Sequence, residues 1–118
     1  MRVYVAGPIT HGDTDANVRA GMDVASALLA LGHAPYVPQL TFYWDGYRPQ
    51  AYETWMALSD AWLRQCEAII RVPGYSPGAD REMAVARVLG LPVMALCTHD
   101  GRTESLCPDC EGKGWRLL

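Results

Sequence analysis

The chain has 118 residues, half of them hydrophobic, which suffices for one domain with a real core and leaves no room for a second. A net charge of −3 and a single lysine, Lys113, exclude a protein that grips nucleic acid through its phosphates, because no lysine or arginine cluster exists. No apolar run approaches a membrane span, and Met1-Arg2-Val3-Tyr4 enters a strand rather than a signal peptide, so the cytoplasm is the expected compartment and no membrane partner is expected.

Arg2 to Ala6 reads as a short apolar strand closed by Gly7-Pro8, and the polar run Thr10 to Asp15 follows. Val18, Met22, Ala25 and Leu29 recur at helical steps with Leu28 beside them, which predicts an amphipathic helix from Asn17 to Leu31, capped by Gly32. His33, just past that cap, reads as a helix-end residue that complements the dipole, whereas His11 lies in the loop after the first strand, either solvated or touching a ligand. Ala34 to Val37 supplies a second short strand, limited by Pro35 and Pro38.

From Gln39 to Tyr52 the chain shows no clean period, and Thr41 to Pro49 carries four aromatics, so a long loop over a pocket is expected. It either stacks on a ligand ring or packs as a flap on the sheet edge. Glu53 to Cys66 is the second helix, with Trp55, Leu58, Trp62 and Cys66 on one stripe and the tryptophans read as core.

Ala68-Ile69-Ile70 with Val72 is a strand buried on both faces, ended by Pro73-Gly74. A third helix starts near Pro77 or Gly78 with Ser76 as its cap, which puts Glu82 in or just after the first turn, at the carboxyl end of a strand. There the helix dipole favours a charged carboxylate, and open α/β sheets bind their ligands at that edge. The plainer reading of Glu82 is a surface acid that complements the dipole, and of Asp60 a solvated helix position. Val85, Ala86 and Leu89 face inward before Gly90, and Leu91 to Leu96 is a fourth strand. Strands and helices alternate, so the expected architecture is α/β, a small flavodoxin/Rossmann-like three-layer sandwich with a four- to five-stranded mainly parallel sheet over residues 1–96. Residues 97–118 read as a polar tail.

Taken together, Tyr4-Val5-Ala6-Gly7-Pro8-Ile9, Asp60 and the Ser76 to Glu82 turn resemble the nucleoside 2-deoxyribosyltransferase superfamily, which includes deoxynucleoside monophosphate N-hydrolases and many small proteins often found in phages. The resemblance covers about residues 1–96. It implies cleavage or exchange of the N-glycosidic bond of a 2'-deoxynucleoside or its 5'-monophosphate, with no cofactor for catalysis. Glu82 would be the nucleophile that forms a glycosyl-enzyme, and Asp60 would manage protons and orient the leaving base. Ser76 and Gly78 would meet the sugar hydroxyl or phosphate, and Tyr4, Gly7, Pro8 and Ile9 would line the sugar and base pocket. Retaining glycosidases follow the same two-group logic.

Two departures accompany the resemblance. Glu67 stands where the family usually has aspartate, which bears on pocket depth or a structural hydrogen bond. Relatives continue with a further helix and strand and often share the pocket with a neighbouring subunit, implying a homo-oligomer. This chain instead carries Cys107-Pro-Asp-Cys110-Glu-Gly-Lys-Gly114, similar to one zinc-binding repeat of the J-domain chaperones. With Cys97 and His99 the ligand count suits a structural tetrahedral zinc site, and the competing reading is a frayed tail with two reduced thiols. Two other classes stay open: a nucleotide-binding module without turnover, and a zinc-stabilised interaction protein.

Overall fold

The computed structural model describes residues 1–97 and 112–118. The elements run β1 (Arg2–Ala6), α1 (Thr14–Ala30), β2 (Ala34–Tyr36), a 3-10 turn (Pro38–Leu40), α2 (Thr41–Tyr47), α3 (Tyr52–Leu63), β3 (Ala68–Arg71), α4 (Pro77–Val88), β4 (Val93–Leu96) and β5 (Trp115–Leu117). One five-stranded sheet has the order β2-β1-β3-β4-β5. The first four strands are parallel, with Tyr4 opposite Ile69 and Ile70 opposite Met94, and β5 closes the edge antiparallel to β4. The expected α/β architecture and strand count are those observed.

The period of two in β1 and β3 divides the core. Val3, Val5, Ala68 and Ile70 point to one face, where Leu28, Val24 and Ala20 of α1 cover them. Tyr4, Ala6 and Ile69 point to the other, against Leu63 near the end of α3 and Ala79, Met83 and Ala86 of α4. Both faces of the central strands are thus sealed by helices, which makes the sandwich three layers deep. Among the described residues no helix is long and apolar enough to cross a membrane.

Local signals place most boundaries. Asp13 caps α1 by accepting from the Ala16 amide at 3.1 Å, so the helix begins at Thr14, inside the run read as a polar loop. Its buried stripe is Val18, Gly21, Ala25 and Leu28, and Met22 and Leu29 are exposed. Gly21 sits there because α1 must approach Gln39: a Cβ at Gly21 would lie 2.9 Å from the Gln39 Cδ. Fully buried Gln39 in turn donates from Nε2 to the Val5 carbonyl at 3.2 Å.

Four expectations change. The stretch after Gln39 is not a loop: α2 is a short helix held to α1 by the Tyr43 hydroxyl, which donates to Asp15 at 2.8 Å. It is also held to α3 by Asp45, whose Oδ1 accepts from the Trp55 indole at 2.7 Å and from the Gln50 amide at 2.9 Å. Those two donors hold the Asp45 carboxyl below its ordinary pKa, Gln50 first and Trp55 second. The tryptophans of α3 are not core either. In α3 only Leu63 is buried, and Trp62 lies 47% exposed with its ring stacked on Tyr36 at 5.6 Å. The end of the presumed tail belongs to the sheet, since Trp115 to Leu117 pair with β4. Finally, His33 is no dipole-complementing cation. Its ring packs edge-on against Trp115 at 5.0 Å, and burial pushes its pKa down, favouring the neutral form.

Glu67 anchors the amino end of β1 rather than a pocket: its Oε1 accepts from the Arg2 amide at 3.0 Å, and its own amide donates to the Arg2 carbonyl at 2.8 Å. The departure at this position therefore serves a structural hydrogen bond.

Candidate functional site

The chain leaves β1 toward β2 on one side and returns to β3 on the other, so the strand order reverses between β1 and β3. Open α/β sheets place their ligands beyond the carboxyl ends of the strands at such a point. Here a cavity of about 560 Å³ opens there, bounded by the loop after β1 (Gly7, Ile9), by α2, by α3 (Trp55, Asp60) and by the start of α4. Its size is that of a small-molecule site.

The loop after β1 is shaped from α1. The Asn17 side-chain amide donates to the Ile9 carbonyl at 3.0 Å and to the His11 carbonyl at 2.8 Å, and His11 meets Tyr75 edge-on at 5.1 Å across the mouth. Gly7 has no space for a side chain: a Cβ there would lie 2.7 Å from the Val72 Cβ and 3.1 Å from the Gln39 Nε2. Pro8 is buried behind the cavity and touches Gly74, where a Cβ would come within 2.9 Å of the Pro8 Cγ.

On the facing wall, Ser76 caps α4 by accepting from the Ala79 amide at 3.0 Å, and Pro77 follows as its first residue. Arg71 braces this turn, donating to the Gly74 carbonyl at 2.9 Å and pairing with Asp80 at 3.0 Å. Glu82 is the sixth residue of α4, beyond the first turn where the dipole acts. Burial dominates instead and raises its pKa to about 7, so the carboxyl is not the firmly ionised group that a helix start would make it. The Tyr4 hydroxyl donates to Glu82 Oε2 from the fully buried ring beneath.

Asp60 lies on the α3 side of the same cavity. Its Oδ2 accepts from Arg64 Nε at 3.0 Å in a half-exposed pair one helical turn apart. Asp60 and Glu82 therefore face one cleft, together with Gly7, Ile9, Ser76 and Gly78. Tyr4 and Pro8 stand behind its wall. Phe42, Trp55, Asp45 and Arg81 also line it, and sequence patterns did not single them out as site residues. Trp55 carried a usable signal, an indole ten residues from an acid that could hold it, but its place in an apolar stripe pointed to the core. Of the four candidate zinc ligands, Cys97 follows β4, with its amide donating to the Gly114 carbonyl at 3.0 Å, and His99, Cys107 and Cys110 lie outside the described residues.

Residues 1–95 match the sequence family described as Domain of unknown function, DUF4406. The chain belongs to that family. No curated protein matches the sequence. Among solved structures, the 2-deoxyribosyltransferase from the psychrotolerant bacterium Bacillus psychrosaccharolyticus is similar, with a TM-score of 0.61 over 79% of this chain and 69% of that one, at 16% identity. At that identity the likeness establishes a shared fold. The DUF4406 match includes every residue that lines the cavity, so the cleft belongs to the family domain rather than to the segment beyond it.

Proposed function

We propose that the cavity binds a 2'-deoxynucleoside or its 5'-monophosphate and that the protein cleaves or exchanges its N-glycosidic bond. The observation that carries this reading is a half-buried carboxyl, Glu82, held by the Tyr4 hydroxyl in a cleft whose facing wall presents a second carboxyl, Asp60. Glu82 attacks the anomeric carbon, the carbon–nitrogen bond breaks toward the base, and a glycosyl ester forms. The ring nitrogen of the departing base takes a proton from solvent relayed through Asp60, whose Oδ2 is held by Arg64. Water or a second base then attacks the same carbon, passing its proton through Asp60 to solvent, and the Glu82 carboxylate leaves. Phe42 and Trp55 supply aromatic surface for the base. The deoxyribosyltransferase fold, shared at 16% identity, supports the assignment without fixing the substrate.

Incubation with purine and pyrimidine deoxynucleosides and their 5'-monophosphates, with and without an acceptor base, is expected to release or exchange base in a Glu82-dependent way. No turnover of any of them would refute the enzymatic reading. Because the nucleophile must be ionised, the rate is expected to rise with pH through about 7, where half of the Glu82 carboxyls lose their proton. Tyr4→Phe removes a donor that favours the carboxylate, so the rising limb is expected to move to higher pH and the rate at pH 6 to fall more than the rate at pH 9. An unmoved limb would show that the hydroxyl does not tune Glu82.

A further inference from the structure

The charges in the cavity are unevenly matched. Each of its three carboxyls has a partner in the protein: Asp45 holds the Trp55 indole and the Gln50 amide, Asp60 holds Arg64, and Glu82 holds Tyr4. Arg81, on the same rim, has no such complement. Its Nη2 lies 3.2 Å from the Met56 sulfur, a weak acceptor contributed by α3, and among the described residues no carboxylate pairs with it. The guanidinium is thus drawn across the mouth from α4 toward α3, exposed, with its donors otherwise unspent.

A guanidinium is always charged, and its planar fork of donors fits the oxygens of a phosphate. We infer that the ligand of this cavity carries a phosphate monoester on its sugar and that Arg81 binds it, so that the site selects a nucleotide over the neutral nucleoside. This inference rests on the reading of the cavity as a nucleoside site and deepens it. Neutral ligands would leave Arg81, which no carboxylate among the described residues pairs with, facing water. A phosphate supplies the missing counter-charge without displacing any existing pair, and it does so at the rim, where a highly hydrated group is least costly to hold.

The 5'- and 3'-monophosphates share this chemistry, and they are separated by experiment. Calorimetric titrations of the full chain in the Glu82→Gln background, where turnover is off, would compare deoxyadenosine, its 5'-monophosphate and its 3'-monophosphate, with and without Arg81→Gln and Arg81→Lys. One monophosphate is expected to bind roughly tenfold or more tighter than deoxyadenosine. Arg81→Gln is expected to erase that preference, bringing the ratio to within about twofold, and Arg81→Lys to keep part of it as a point charge without the fork. The preferred isomer identifies the sugar position that faces Arg81. Arg81 is exposed, so its variants are expected to melt within a degree or so of their parent. Equal binding of deoxyadenosine and both monophosphates with Arg81 present would overturn the inference and leave the proposed function standing. A preference that survives Arg81→Gln would overturn the assignment to Arg81. Failure of all three ligands and of the matching guanine, cytosine and thymine series to bind would remove the nucleoside reading and this inference with it.

Discussion

Glu82→Gln is expected to remove turnover, on the order of 10⁴-fold, while making the folded protein more stable at neutral and alkaline pH. The two effects have one cause. Burial raises the Glu82 pKa from an ordinary 4.5 to about 7, so the fold favours the neutral carboxyl and the charged form that chemistry needs is the less stable one. The sign of the pH dependence follows. Between about 4.5 and about 7 the folded state binds the proton that the unfolded chain has already released, so this group's contribution to stability falls as pH rises through that window and is constant above it. The gap corresponds to at most about 3 kcal/mol. Glutamine is neutral at every pH, and its carbonyl can still accept from the Tyr4 hydroxyl. Thermal melts of the two proteins should therefore coincide near pH 4 and diverge toward pH 8, with the variant melting higher. A variant that melts lower at pH 8 would mean that Glu82 is stabilised as an anion in the fold and that its burial does not set its ionisation.

Gly7→Ala is expected to damage both fold and site. The obstacle is not backbone conformation but space: the new methyl would sit 2.7 Å from the Cβ of Val72, an atom fixed to the backbone that follows β3, and 3.1 Å from the amide of Gln39. Neither neighbour yields easily, because Val72 is buried at 4% exposure and fully buried Gln39 is tied to the Val5 carbonyl. Overpacking of this kind costs about 1–3 kcal/mol, and a domain of this size loses roughly 4 °C of melting temperature per kcal/mol. Because β1 and β3 must spread at the strand-order reversal, the cavity floor shifts with them, and ligand affinity is expected to fall together with Tm. Chemical denaturation and ligand titration of the same variant check both. A variant with native stability and native affinity would show that the two strands can separate there at no cost.

The residues that were legible in the sequence share a property. Ser76-Pro77 as a helix start, Gly32 and Gly90 as stops, and the apolar strand from Arg2 to Ala6 each depend on neighbours within a few positions, and the structure reproduces them as read. Asp13 was passed over because polar residues on both sides of it look like loop. The failures are those where packing overrides a weak local signal. α2 contains a glycine and four aromatics with no apolar stripe, and it is a helix because its side chains are anchored on α1 and α3. The apolar stripe of α3 was read as core, yet Trp55 meets the cavity and Trp62 is half-exposed on Tyr36, and a stripe does not distinguish a neighbouring sheet from an empty cleft. His33 illustrates the same limit: its fate depends on Trp115, 82 positions away.

By itself, the sequence determined that this chain alternates strand and helix, that Glu82 follows a capped helix start beyond a buried strand, and that an acid on the preceding helix accompanies it. These are consequences of period, capping and turn chemistry, all short-ranged. Only the tertiary structure decided that Asp60 and Glu82 open onto one cleft, that Tyr4 reaches Glu82 across 78 positions, and that Arg81 has no carboxylate partner among the described residues. Strand order and helix docking bring such groups together, and the ionisation of Glu82 is set by the surroundings so assembled rather than by its place along α4.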